Sequence, residues 1–230
     1  MENTSLWVFG YGSLCWNPGF EFDQTLTGHV KGYSRKFWQG NTTHRGVEGK
    51  PGRVATIIED SRDVVWGRAF RLVGEAALRY LEKRECLLGG YKTIIGNFHP
   101  RHNVPGLTSF PVLIYVATPD NHLWLGDASI ADIANQIVDC RGASGHNVEY
   151  LLKLARFMRE HIPEADDKHL FTLEFLILSK IKEQNLSLNY LMGETPLHDR
   201  PPIEKQDRPY DLDNLIQFTT LVEHTKMLHV

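Results

Sequence analysis

The stretch GRVATIIEDSRDVVWGRAFRLVGEAALRYLEKRECLLGGYKTIIGNFHP, residues 52–100, changes its period twice. It opens with two strand candidates, GRVATIIED (52–60) and DVVWGRAFRL (63–72), both rich in β-branched and aromatic residues. GEAALRYLEKRECLL (74–88) then has helix-forming composition and stops at Gly89-Gly90, a helix C-terminal signal. YKTIIGNFHP (91–100) returns to strand. One helix embedded among strands is the arrangement that separates a mixed fold from a regular strand–helix repeat.

Reading outward keeps that distinction. Upstream, LWVFGYG (6–12) and GHVKGYSRKFWQG (28–40) are strand candidates, and SFPVLIYVAT (109–118) is another downstream. From about Asp127 the apolar period lengthens. Ile130, Ile133, Ala134, Ile137 and Val138 mark one helix face that stops at Gly142. Val148, Leu151, Leu152, Ala155, Met158 and Ile162 mark a second, stopped by Pro163, and a third helix is expected over roughly 167–184. The expectation is an α+β domain with a curved or closed sheet. It should span residues 1–184, followed by an irregular extension, 185–230, that ends in a short helix, LDNLIQFTTLVEHTKML (212–228).

Bulk properties narrow the function. With 42% hydrophobic and 23% charged residues the chain has globular composition, and a net charge of −3 gives no electrostatic case for nucleic acid or an anionic membrane. The 11 histidines are scattered without metal-site spacing, so no metal is expected. No apolar run approaches the ~18 residues of a membrane span. MENTSLWVFG lacks a basic n-region and a long apolar h-region, and three cysteines, Cys15, Cys86 and Cys140, cannot all pair. Reduced thiols in the cytosol are the expected setting.

Two features stand out chemically. At about 100° per residue, Leu78, Leu81 and Leu88 share one stripe of the 74–88 helix, and Glu85 projects between Leu78 and Leu81. A desolvated carboxylate has a raised pKa, which suits a general acid or base near neutral pH. The alternatives are a helix that frays before Glu85 or a buried arginine partner. The second feature is WVFGYGSLCWNPGF (7–20), an apolar strand broken by Gly10-Tyr11-Gly12-Ser13. It matches neither a phosphate-binding loop nor a nucleophile elbow. It is either a turn whose N–H groups face an anion or oxyanion, or a tight strand-to-strand turn. Cys86 has no evident histidine partner, and Arg45 or Arg53 meets either a substrate carboxylate or solvent. His146 or Asn147 is expected near a helix N-cap.

These segments occur in the order of one family. WVFGYGSLCWNPGF, GYSRKFWQGNTTHRG (32–46), PGRVATIIED (51–60), YLEKRECLLGGY (80–91), IYVATPDN (114–121), LG (125–126) and DCRGASGHNVEYLLKLARFM (139–158) resemble the ChaC family of glutathione-specific γ-glutamylcyclotransferases. The resemblance covers roughly residues 5–172, and the RECLLGGY form is closer to the animal branch linked to stress responses. It implies a γ-glutamylcyclotransferase-like fold, a small β-barrel-like sheet with flanking helices. It also implies a lyase that degrades glutathione to 5-oxoproline and cysteinylglycine without a cofactor. By the same resemblance Glu85 is the catalytic acid/base, and Gly10, Tyr11, Gly12, Ser13 and Leu14, with Cys15 adjoining, hold the γ-glutamyl group. Tyr115 is a further substrate contact. The alternatives are a cyclotransferase for other γ-glutamyl amino acids or amines, and a non-catalytic binding or adaptor protein. Glutathione is the only partner implied.

Overall fold

The structure is a computed structural model that describes residues 6–102 and 108–194. Five strands carry the sheet: β1 (Trp7–Gly10), β2 (Phe22–Asn41), β3 (Gly52–Leu72), β4 (Lys92–Pro100) and β5 (Phe110–Val116). They close into a barrel in the order β1-β3-β2-β4-β5. All pairings are antiparallel except the closing seam, where β1 and β5 run parallel with Val8 opposite Leu113 and Phe9 opposite Ile114. The curved or closed sheet expected from the strand-rich first half is therefore a closed barrel. GRVATIIED and DVVWGRAFRL are halves of one strand, β3, which runs through Asp60–Asp63 as extra residues of its own where the pairing with β2 shifts between Lys31 and Tyr33.

Helix α1 (Gly74–Leu81) follows β3 directly, and a π-helical turn, Glu82–Leu87, continues it. Helices α2 (Ile130–Asp139), α3 (Asn147–His161) and α4 (Lys168–Glu183) form the second layer, and a short α5 (Leu188–Leu191) ends the described chain. A two-stranded ribbon, β6 (Arg141–Gly142) and β7 (Gly145–His146), joins α2 to α3. The helix ends follow their capping chemistry: Ser129, His146 and Asp167 each accept a backbone N–H as N-caps. No helix among the described residues is long and apolar enough to cross a membrane. The C-terminal helix expected over 212–228 lies outside the described residues.

Strand alternation sorts the core. Phe9, Phe98 and Ile114 belong to the main cluster, which takes in the buried faces of α2, α3 and α4. Their neighbours Val8, Phe70 and Tyr115 point the other way and pack beneath α1 on Leu81 and Leu14. Two functional segments, the turn after β1 and the end of α1, thus share one small apolar cluster.

Candidate active site

A cavity of about 440 Å³ opens where these elements meet. Residues 9–14 form one wall, Tyr80 and residues 83–85 another, and Gly40, Asn41, Val54 and Ala55 the barrel side. Tyr91, immediately before β4, closes it together with Tyr115 of β5 and Tyr150 of α3.

The glycine-rich segment is not a strand-to-strand turn. After β1 the chain winds into one 3-10 turn, Ser13–Cys15, closed by Cys15, Trp16 and Asn17 N–H groups on the carbonyls of Gly12 and Ser13. The amides of Gly12, Ser13 and Leu14 stand at the open end of that turn, where helical geometry provides no partner. The glycines are required sterically. A Cβ on Gly10 would lie 2.5 Å from Leu14 Cβ, and one on Gly12 would lie 2.7 Å from Tyr150 Oη. Gly10, Tyr11, Gly12, Ser13 and Leu14 all line the cavity, whereas Cys15 does not. Its thiol is fully buried, donates to the Gly10 carbonyl at 3.2 Å and is pushed up to about 12 by burial. Cys15 braces the turn from behind and is no cavity contact.

Glu85 sits on the opposite wall with its side chain 16% exposed. Burial raises its pKa, opposed by the neighbouring Arg84 guanidinium. Both alternatives weighed for this residue are partly realised. The α-helix gives way at Glu82, and Glu85 Oε1 pairs with Arg84 Nε at 3.1 Å. The apolar stripe does not reach Leu88, which is 43% exposed. The wider π turn inserts a residue and rotates everything after it.

Arg84 has more partners than Glu85. Its Nη2 donates to Ser13 Oγ at 2.8 Å, and its Nη1 donates to the carbonyls of Asn17 and Pro18 at 3.0 and 2.9 Å. One guanidinium therefore ties the glycine-rich turn to the carboxylate across the cavity. A planar five-donor fork can do this, and a lysine cannot.

Four tyrosines surround the carboxylate. Tyr11 Oη donates to the Tyr115 carbonyl at 2.5 Å, and Tyr91 Oη donates to the Ala55 carbonyl at 2.9 Å. Tyr150 Oη accepts from Ala55 N–H at 3.2 Å. Tyr115 is 3% exposed and its hydroxyl has no partner among the described residues. Burial raises all four pKa values, that of Tyr150 to about 12, so all four are neutral phenols near pH 7.

The remaining candidates have structural partners. Arg45 lines the cavity but is held by Glu149 at 2.6 Å, which also takes Lys153. Arg53 does not line the cavity and is buried, not at the surface. It is buried on the carbonyls of Phe37 and Gly126 and on Gln136 Oε1. Asn147 clamps the Arg53 peptide through Oδ1 and Nδ2, and Cys86 packs beside Leu81 and Tyr115. Sequence reasoning missed Arg84, Tyr91 and Tyr150. The first two flank Glu85 within the quoted YLEKRECLLGGY, whereas Tyr150 sits on a helix face that otherwise reads as core.

Comparison with known proteins agrees with this architecture. Residues 6–180 match the family described as ChaC-like protein. Over 184 residues the chain is 49% identical to glutathione-specific gamma-glutamylcyclotransferase 1 of Danio rerio, covering 78% of this chain and 92% of that one. It is 50% identical over 172 residues to the Homo sapiens protein of the same name, covering 74% and 77%. The crystal structure of the glutathione-specific cyclotransferase from yeast superposes with a TM-score of 0.67 at 27% identity, over 77% of this chain and 97% of that one. The chain belongs to the ChaC-like family.

Proposed function

We propose that this chain is a lyase that cyclises the γ-glutamyl group of glutathione, releasing 5-oxoproline and cysteinylglycine, with Glu85 as general base and then general acid. The observation that carries this reading is one desolvated carboxylate facing a glycine-rich turn across a single cavity. The substrate follows from the names of the zebrafish and human relatives.

The γ-glutamyl group lies against Gly10, Tyr11, Gly12, Ser13 and Leu14, with Cys15 behind them. Arg84 occupies the Ser13 oxygen as an acceptor, so the Ser13 hydroxyl proton is free to donate to substrate. Tyr115 offers a buried hydroxyl that no described residue satisfies. Glu85 takes a proton from the α-ammonium, and the freed amine attacks its own γ-carbonyl carbon. Negative charge builds on the carbonyl oxygen beside the turn's amides. The bond to the cysteinyl nitrogen then breaks as Glu85 returns the proton to that nitrogen, and the second proton of the ring nitrogen passes to the departing amine, leaving a neutral lactam and an ammonium. Nucleophile and electrophile share one chain, which removes the entropy cost of bringing them together. Each step moves a proton or a bond within the substrate or to Glu85, so the route calls for no metal or cofactor. We assign the catalytic unit to residues 1–184, treat 185–230 as an extension outside the chemistry, and place the protein in the cytosol.

The test is direct. Purified protein should convert glutathione to 5-oxoproline and cysteinylglycine, and Glu85→Gln, with unchanged circular dichroism, should lose ~10²–10⁴ in kcat. Equal turnover of γ-glutamyl-alanine in competition would transfer the reading to a broader γ-glutamyl substrate class. A folded wild type with no turnover would remove the enzymatic reading.

A further inference from the structure

The hydrogen bonds of one peptide dictate how two cavity tyrosines present themselves. Ala55 lies on β3 opposite a bulge, where Phe37 and Trp38 of β2 face a single residue. The N–H and C=O of one strand residue point to the same edge. At Ala55 that edge meets Tyr150 and Tyr91. Tyr91 spends its only proton on the Ala55 carbonyl, so toward the cavity its oxygen offers lone pairs alone. Tyr150 receives the Ala55 N–H, and no described residue accepts its own proton. Two chemically identical side chains thus face one cavity with opposite polarity.

Taking the γ-glutamyl reading above as the basis, we propose that the Ala55 peptide sorts the two ends of the reacting group: Tyr150 donates to an oxygen of the γ-glutamyl group, and Tyr91 accepts from its amino group. The assignment follows from what each hydroxyl has left. An ammonium or amine brings protons and needs acceptors, which Tyr91 Oη and the Glu85 carboxylate supply. A carbonyl that becomes an oxyanion needs donors, which Tyr150 supplies together with the amides of the glycine-rich turn. Holding one amine N–H on Tyr91 also aims the nitrogen lone pair once Glu85 has taken its proton. Tyr150 is a catalytic residue in this scheme, and Tyr91 orients the nucleophile. Gly12 belongs to the same device, because only a residue without Cβ lets the turn approach within contact of Tyr150 Oη.

The experiment compares glutathione with glutaryl-cysteinylglycine, which lacks the α-amino group and competes without reacting. Tyr91→Phe should raise KM for glutathione about tenfold, the loss of one hydrogen bond to a polar or charged partner. It should leave the inhibition constant of the des-amino analogue within about twofold. Tyr150→Phe should weaken both ligands alike and lower kcat by ~10²–10³, as removal of an oxyanion donor does. The ratio of the two constants within one variant cancels any loss of folded protein, so a destabilised variant still gives an answer. Equal weakening of both ligands by Tyr91→Phe, or an unchanged kcat in Tyr150→Phe, would overturn the assignment. A wild type that binds both ligands but turns over neither would instead remove the cyclotransferase reading.

Discussion

Two helical segments deliver groups to the same cavity, and they are built in opposite ways. Helix α3, which carries Tyr150, buries ten of its fifteen residues and is capped at its start by His146. The α1 segment, which carries Glu85, buries only Ala77 and Leu81, and its π-helical turn buries no residue. Leu87 on that turn and Leu88 just after it are 70% and 43% exposed. Few buried apolar contacts mark the low end of local stability. The hydrogen-bond-donating phenol of Tyr150 therefore stands on the rigid layer, and the proton-transferring carboxylate stands on the part that opens most easily. What holds Glu85 in place is polar: the Arg84 fork to Ser13, Asn17, Pro18 and Glu85 itself.

That contrast can be broken from either side. The largest expected effect is on α3, where Leu154→Ala removes a fully buried side chain and should cost about 2–5 kcal/mol in denaturant unfolding. Next is Arg84→Met, which leaves the α3 side intact but releases the carboxylate. It should lower kcat/KM by about 10–100-fold, the range of one lost charge-assisted hydrogen bond. Because Arg84 holds the Glu85 pKa down, the acidic limb of the pH–rate profile should also move to higher pH. A rate loss with an unmoved limb would make Arg84 a purely structural tie.

A smaller effect concerns stability and pH. The folded-state pKa of Glu85 is raised, so its contribution to stability is present at acid pH and is lost as pH rises through that value. Glu85→Gln cannot titrate, and it should melt higher than wild type at pH 7, with the gain vanishing as pH falls toward the ordinary glutamate pKa. His169 works in the opposite direction. Burial lowers it to about 4, and its Nε2 accepts the Phe37 N–H, so its contribution fades as pH drops from ordinary histidine values toward 4. The smallest effect belongs to the π turn: Leu87→Ala should change stability by no more than about 0.5 kcal/mol. Hydrogen exchange should find the amides of 82–87 opening well before those of α3.

Much of this was legible in the sequence because it rests on periodicity. The strand runs, the stops at Gly89-Gly90 and the faces of α2, α3 and α4 all follow from apolar spacing. Glu85 was visible as a carboxylate on an apolar stripe, since an α-helical phase still holds up to Leu81. The phase past Glu82 was not legible: one inserted residue in the π turn put Leu88 in solvent, and no local composition signals that insertion. Tyr150 was hidden for a related reason, since an aromatic on a helix with ten buried residues reads as packing. The polarity of the tyrosines depends on the Ala55 peptide, which is 95 and 36 positions away from its two partners, and no local pattern encodes such distances.

The parallel seam between β1 and β5 has a kinetic consequence. Tyr11, at the end of one strand, reaches the carbonyl of Tyr115, 104 positions later, across that seam. Closing so long a loop is slow compared with forming hairpins such as β4–β5 or helices such as α3. The seam should therefore form late in folding. Because residues 10–14 and Tyr115 flank it and line the cavity together, a chain that has not yet closed its barrel has no site at all. Gain of activity during refolding then reports ring closure, and it should lag the recovery of helical signal.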